Sequence, residues 1–180
     1  MLSPFVRRKV ALAFYRFDLT RNGLVSQDDL RTLGRRVAQQ LNLPEYTIKH
    51  DKIVDAFLSL WASYGKAADA NGDNAITLDE YLDAHEKFAQ LPNSQDIGLQ
   101  TNAVTFDAID VDGDGKIGER EYVLFLKAQG VSANDAHEAF HHLDRDGDDV
   151  ITREELAADW WEYWNSDDQA APGNWFYGSF

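Results

Sequence analysis

Apolar residues recur along this chain at intervals of three and four. Val6, Val10, Phe14 and Phe17 form one such series, and Ile53, Phe57, Leu60, Trp61 and Tyr64 a second. Leu99, Ala103, Phe106 and Ile109 form a third, and Ala136, Ala139, Phe140 and Leu143 a fourth. That spacing places each series on one face of an amphipathic helix. After each comes a polar stretch of twelve residues: DLTRNGLVSQDD (18–29), DANGDNAITLDE (69–80), DVDGDGKIGERE (110–121) and DRDGDDVITREE (144–155). The helical pattern then resumes, through Leu30, Leu33, Val37 and Leu41; through Tyr81, Leu82 and Phe88; through Tyr122 and Phe125; and through Leu156, Trp160 and Trp164. The repeated unit is therefore helix, polar loop, helix.

Local chemistry marks several boundaries. Ser3 before Pro4 predicts a cap with proline in the first helical turn, and Ser132 with Asp135 predicts a second capped start. LPNSQD, residues 91–96, is the expected connector. It divides the chain into residues 1–91, with the first two loops, and 97–180, with the last two and a tail over 165–180. The predicted fold is all-α: four helix–loop–helix units in two packed pairs.

The loops suit a hard cation. Ca²⁺ takes six to eight oxygens, which a twelve-residue turn supplies from positions 1, 3, 5, 7, 9 and 12. In the third loop Asp110, Asp112 and Asp114 offer carboxylates, Lys116 its carbonyl and Glu121 a two-oxygen clamp, with Gly115 at the turn. The fourth repeats this with Asp144, Asp146, Asp148, the Val150 carbonyl and Glu155, with Asp149 at the turn position. The second uses Asp69, Asn71, Asp73, the Ala75 carbonyl, Thr77 and Glu80, with Asn74 at the turn. Asn and Asp tolerate the left-handed backbone that this position demands.

The first loop differs. Asp18, Asn22 and the Leu24 carbonyl fit, and Gly23 holds the turn, but Thr20 stands at position 3 and Asp29 at position 12. Aspartate is one methylene shorter than glutamate, so a two-oxygen clamp requires tighter closure, and Mg²⁺ becomes a competitor. Calcium sites are expected on all four loops. An apolar residue recurs at position 8, as Val25, Ile76, Ile117 and Ile151, and predicts short strands joining the loops in two pairs.

Composition narrows the choice. The 180 residues carry a net charge of −14, and ligand positions of the successive loops hold two, three, four and four acids. Thirteen carboxylates thus sit where a cation is wanted. Their repulsion without metal predicts that metal binding is linked to folding. The same charge disfavours nucleic acid and anionic membranes as partners. Cysteine is absent, which excludes disulfides, thiolate metal sites and cysteine nucleophiles and suits a reducing compartment; a cytoplasmic monomer is expected. No signal peptide is read at the start, and no apolar run approaches the ~20 residues of a membrane span.

HEAFH at 137–141 matches the HExxH text of zinc peptidases. The helix runs directly into the fourth loop, its Phe140 and Leu143 belong to a core face, and no third zinc ligand follows. The motif is read as a chance match, and no enzymatic activity is expected. The aromatic ending PGNWFYGSF predicts a tail in which Trp175, Phe176 and Phe180 pack back into the cleft between the halves.

With four such units the chain resembles the EF-hand superfamily. More narrowly it is similar to the sarcoplasmic calcium-binding proteins and calerythrin, through its length, its long first interval, Asp29 and its aromatic-glycine tail. That resemblance covers the whole chain and implies two halves packed around a shared core and a calcium-buffering role. Several members have a degenerate second loop, whereas this chain keeps Asp69, Asn71, Asp73 and Glu80. Related luciferin-binding proteins and photoproteins imply a small-molecule carrier as an alternative. A sensor with an unidentified protein target is another, although calmodulin-like sensors expose methionine-rich grooves and this chain has one methionine.

Overall fold

The computed structural model describes residues 2–179. Helix α1 (Pro4–Phe17) starts as its sequence requires: the Ser3 hydroxyl accepts the Val6 N–H at 3.1 Å, with proline in the first turn. It leads to strand β1 (Leu24–Ser26) and helix α2 (Gln27–Gln40). The next unit holds α3 (Ile48–Leu60), a π-helical turn (Trp61–Gly65), the single turn α4 (Lys66–Ala68), β2 (Ala75–Thr77) and α5 (Leu78–Ala89). Helix α6 (Ser94–Ile109), β3 (Ile117–Gly118) and α7 (Glu119–Ala128) form the third. The fourth comprises α8 (Ala133–Leu143), β4 (Val150–Ile151) and α9 (Arg153–Asn165), and a 3₁₀ turn (Pro172–Trp175) follows. Ser132 caps α8 through the Asp135 N–H at 3.1 Å.

The loops pair as their position-8 residues predict. Strands β1 and β2 are antiparallel with Val25 opposite Ile76, and β3 and β4 with Ile117 opposite Ile151. All four side chains are at most 3% exposed, so each pairing also plugs the core end of its two loops.

The two strand-paired halves share one core. Helix α3 packs on α6, α1 on α9 and α2 on α7. Phe57 of α3 stacks on Phe125 of α7 with ring centroids 6.3 Å apart, and both are buried. Burying each such ring contributes ~1.5–3 kcal/mol, so the seam is part of the hydrophobic core. Arg36 adds a hydrogen bond from Nη1 to the Ala128 carbonyl at 3.1 Å.

Three local expectations are corrected. Residues 94–96 of the connector are helical, because α6 already begins at Ser94, where Asp96 in the first turn suits the positive end of the helix. Leu99 and Ala103 do not face the core: both are exposed, and Gly98, Asn102 and Thr105 are buried in their place. The indoles of α9 decide this rotation. A Cβ at position 98 would lie 2.7 Å from Cζ3 of Trp160, so only glycine admits the ring, and Asn102 donates from Nδ2 to the Leu156 carbonyl at 3.2 Å. Finally, the helix entering the second loop is interrupted by the π turn, where the Trp61 ring lies against Gly65 so closely that a Cβ there would sit 2.4 Å from Cε3.

The tail packs inward through Phe176 and Tyr177, 0% and 3% exposed. Tyr122 donates from its hydroxyl to the Phe176 carbonyl at 2.6 Å, and Arg16 from Nε to the Tyr177 carbonyl at 3.1 Å. Trp175 lies instead on α8, stacked on His142 at 4.2 Å, and is partly buried. The expectation for Phe180 lies outside the described residues.

Candidate metal centre

Each loop is preorganised by its own backbone. In the third, Asp110 accepts the Gly113 N–H at 2.7 Å on Oδ1 and the Gly115 N–H at 3.0 Å on Oδ2. Asp112 accepts the Asp114 N–H at 3.1 Å, and Asp114 the Lys116 N–H at 2.8 Å. The fourth loop repeats the scheme: Asp144 accepts from Gly147 and Asp149, Asp146 from Asp148, and Asp148 from Val150. In the second, Asp69 takes the Gly72 and Asn74 N–H groups, Asn71 the Asp73 N–H and Asp73 the Ala75 N–H. Asn74 and Asp149 both adopt φ of 67°, beside 82° and 85° for Gly23 and Gly115. The turn position is left-handed in all four loops, as the residue types there require.

This folding gathers the carboxylates. Carboxylate oxygens of Asp110, Asp112 and Asp114 all lie within 4.8 Å of one another, and so do those of Asp144, Asp146 and Asp148. Oxygens bound to one Ca²⁺ at ~2.4 Å can be no more than ~4.8 Å apart, so both trios have the dimensions of a coordination sphere.

The residue at position 12 closes each loop from the first turn of the leaving helix. Glu121 accepts the Gly118 N–H at 3.0 Å on Oε2 and reaches across to the Val111 N–H at 2.9 Å with Oε1. Glu155 does the same with Thr152 at 2.9 Å and Arg145 at 3.3 Å. Glu80 accepts from Thr77 at 3.0 Å, and this N–H holds its carboxyl below the ordinary range. Burial pushes the Glu121 carboxyl up, although the Gly118 and Asp112 N–H groups oppose it. A nearby dication favours the ionised form of such a group.

The first loop keeps the scaffold despite its substitutions. Asp18 accepts the Asn22 N–H at 3.1 Å and the Gly23 N–H at 2.8 Å, and Asn22 accepts the Leu24 N–H at 2.8 Å. Thr20 donates to Asp18 at 3.4 Å. Asp29 uses Oδ2 as the longer clamps use Oε2, accepting the Ser26 N–H at 2.9 Å and the Ser26 hydroxyl at 2.7 Å. Its Oδ1 is buried with no hydrogen-bond partner. A buried carboxylate oxygen without a donor is costly, and a cation in the loop would satisfy it.

A family model described as EF hand matches residues 66–83 and 102–126. The beta chain of a sarcoplasmic calcium-binding protein from Penaeus sp. is 31% identical over 117 residues, 61% of this chain and 59% of that one. A 16 kDa calcium-binding protein from Schistosoma mansoni is 30% identical over 118 residues, covering 66% of this chain and 68% of that one. The chain belongs to the EF-hand family. Calerythrin from Saccharopolyspora erythraea is 23% identical over 159 residues, 87% of this EF-hand chain and 90% of that one. In fold, the coelenterazine-binding protein from Renilla muelleri in its calcium-loaded apo form superposes with a TM-score of 0.86 at 22% identity, over 99% of this chain and 100% of that one.

Beyond its loops, this EF-hand protein holds a feature that the sequence signalled only through its many aromatic residues. A cavity of about 350 Å³ opens between the halves, walled by Trp61, Tyr64, Tyr81, His85, Trp164 and Tyr177 among others. The wall is almost wholly apolar, yet the Tyr64 hydroxyl and the Trp164 indole N–H are buried without partners. Burial lowers the pKa of His85, so the ring is neutral near pH 7. Its Nε2 lies 3.0 Å from the Trp164 carbonyl, which can only accept, so Nε2 carries the proton and Nδ1 is left as an acceptor.

The histidines of the HEAFH motif stand on the outer face of α8, with side chains 51% and 64% exposed at His137 and His141. Among the described residues, no helix is long and apolar enough to cross a membrane.

Proposed function

We propose that this EF-hand protein binds Ca²⁺ at its four loops and acts as a calcium buffer in the cytoplasm. The ligands are those of the sequence reading: Asp18, Thr20, Asn22, Leu24 and Asp29; Asp69, Asn71, Asp73, Ala75 and Glu80; Asp110, Asp112, Asp114, Lys116 and Glu121; Asp144, Asp146, Asp148, Val150 and Glu155. The observation that carries the reading is the convergence of each aspartate trio of the third and fourth loops within 4.8 Å. The calcium-binding names of the relatives support it. In this reading the ion neutralises oxygens that backbone N–H groups aim inward and so relieves the repulsion among them.

Buffering is favoured over sensing by the burial of the apolar side chains. Among the described residues, the large apolar ones that remain exposed, Tyr15, Tyr46, Ile48, Leu91 and Leu99, are spread over α1, α3, α6 and two connecting segments. Titration calorimetry is expected to give at least three Ca²⁺ ions per chain; fewer contradicts the site assignment. A dye for apolar surface decides the role: a large signal appearing only with Ca²⁺ overturns the buffer in favour of a sensor.

Asp29→Ala is expected to remove one bound ion, because it deletes the orphaned Oδ1 and the Ser26 acceptor together. Mg²⁺ should compete at this site more than elsewhere, since a short clamp favours a smaller sphere. Unchanged stoichiometry in the variant would make the first loop structural only.

The cavity favours a second reading, a calcium-binding carrier of a small aromatic molecule. Its volume falls in the ~300–1,000 Å³ range of ligand pockets, and its two unpartnered donors suit a neutral ligand with acceptor oxygens. Coelenterazine, named for the structural neighbour, is a suitable probe. The carrier predicts saturable quenching of tryptophan fluorescence, abolished by the cavity-filling change Ala84→Trp with Ca²⁺ stoichiometry unchanged; a buffer shows no such quenching.

A further inference from the structure

We infer that His137, His141 and Glu119 form a separate site for a borderline-soft divalent ion such as Zn²⁺, outside the calcium loops. The two histidines are four residues apart, so they stand one above the other on the same face of α8. The sequence supplied them with no third ligand downstream. The fold brings one from upstream instead: Glu119, the first residue of α7, which packs on α8. Its Oε1 lies 2.7 Å from Nδ1 of His137 and 3.5 Å from Nε2 of His141.

Both imidazoles therefore address one carboxylate oxygen from successive turns of a helix. Donors around a tetrahedral Zn²⁺ at ~2.0–2.2 Å are about 3.3–3.5 Å apart. The Glu119 oxygen stands 2.7 and 3.5 Å from the two nitrogens, which are themselves more than 4.8 Å apart, so an ion would displace that oxygen from between the rings and draw them together. The three side chains are 51%, 64% and 40% exposed, so exposed rotamers can close on an ion and leave a coordination position for water. Chemistry separates this site from the loops. Imidazole nitrogen suits Zn²⁺ and its neighbours, whereas Ca²⁺ takes hard oxygens, and Glu119 is at position 10, which is not a ligand position. The bland alternative is a surface hydrogen bond between a histidine and a carboxylate, which demands only one histidine. Glu138 of the HExxH text takes no part and no reaction is assigned. A bound ion would staple the helix leaving the third loop to the helix entering the fourth.

The test uses the full chain saturated with Ca²⁺, titrated with Zn²⁺ by calorimetry and with Co²⁺ by visible absorption. One further ion per chain is expected, with a Co²⁺ spectrum showing nitrogen ligation. His137→Gln with His141→Gln should abolish it, and Glu119→Gln should weaken it by about tenfold or more. Ca²⁺ stoichiometry and helical circular dichroism should be unchanged in both variants, which separates loss of this site from unfolding or loss of the loops. His142→Gln, whose ring stacks on Trp175, should bind Zn²⁺ normally. Absence of a further ion overturns the site, as does binding that survives the double variant or is indifferent to Glu119→Gln.

Discussion

Chelation of Ca²⁺ is expected to lower the melting temperature by roughly 15–30 °C. A site held at a hundredfold excess over its dissociation constant stabilises the folded state by ~2.7 kcal/mol, so three such sites contribute about 8 kcal/mol. For a chain of this size each kcal/mol moves the midpoint by about 2–4 °C. The structure explains why the contributions are linked. The third and fourth loops join through β3 and β4, and the core residues Ile117 and Ile151 sit at that pairing. Loosening either loop by carboxylate repulsion unseats a core side chain of both. Calorimetric scans with excess Ca²⁺ and with chelator measure the shift. A midpoint that does not move would disprove the coupling of binding to folding.

Replacing Lys9 by alanine is the second large effect, a loss of roughly 3 kcal/mol, because three hydrogen bonds from one ammonium disappear: the Ser166 carbonyl and Asn174 Oδ1 lose their partner, and the Glu162 carbonyl keeps only the Ser166 N–H. Lys9 is 0% exposed in the middle of α1. Its Nζ donates to the carbonyls of Glu162 at 3.0 Å and Ser166 at 2.8 Å and to Asn174 Oδ1 at 3.0 Å, so one ammonium ties α1 to the end of α9 and to the tail. Tyr163 returns a hydrogen bond to the Lys9 carbonyl at 2.5 Å. The midpoint should fall by about 6–12 °C at saturating Ca²⁺. Urea denaturation of Lys9→Ala and wild type measures the loss, and equal stabilities would show that the latch contributes nothing.

Lys9 also carries a pH signature. Burial lowers its pKa from the usual 10.5 to about 8, against the pull of Asp167 and Glu162. Between pH 8 and 10.5 the unfolded chain therefore holds a proton that the folded chain has released, and stability gains a component that rises with pH. Lys9→Met should lack that component. An identical slope in variant and wild type across this window would count against the buried ammonium.

The loops and their pairing were legible because their information is local. Twelve consecutive residues contain the oxygens, the left-handed turn residue and the position-8 side chain, and backbone N–H groups within the same loop aim the carboxylates. Asn74 and Asp149 at positive φ, and Val25 opposite Ile76, follow from residue type and spacing alone. Asp29 shows where this stops. Its shortness was readable, but that Ser26 would occupy one oxygen and leave the other buried and unpaired required the folded loop.

Hydrophobic periodicity gave the helices but not always their buried face. Leu99 and Ala103 were the apolar choices on α6, yet Gly98 and Asn102 are inside, because Trp160 needs a surface without a side chain. Space, rather than hydrophobicity, decided that helix. Lys9 reads as a surface residue until the helix ends of α9 and the tail supply acceptors for it. The cavity and the meeting of Glu119 with His137 and His141 belong to the same class: they depend on how helices distant in sequence are rotated and seated. The sequence by itself determined the repeat, the loop chemistry and the pairing of loops, since these rest on contacts within a few residues. Only the tertiary structure decided which faces meet, because close packing between helices depends on the shapes of both partners at once.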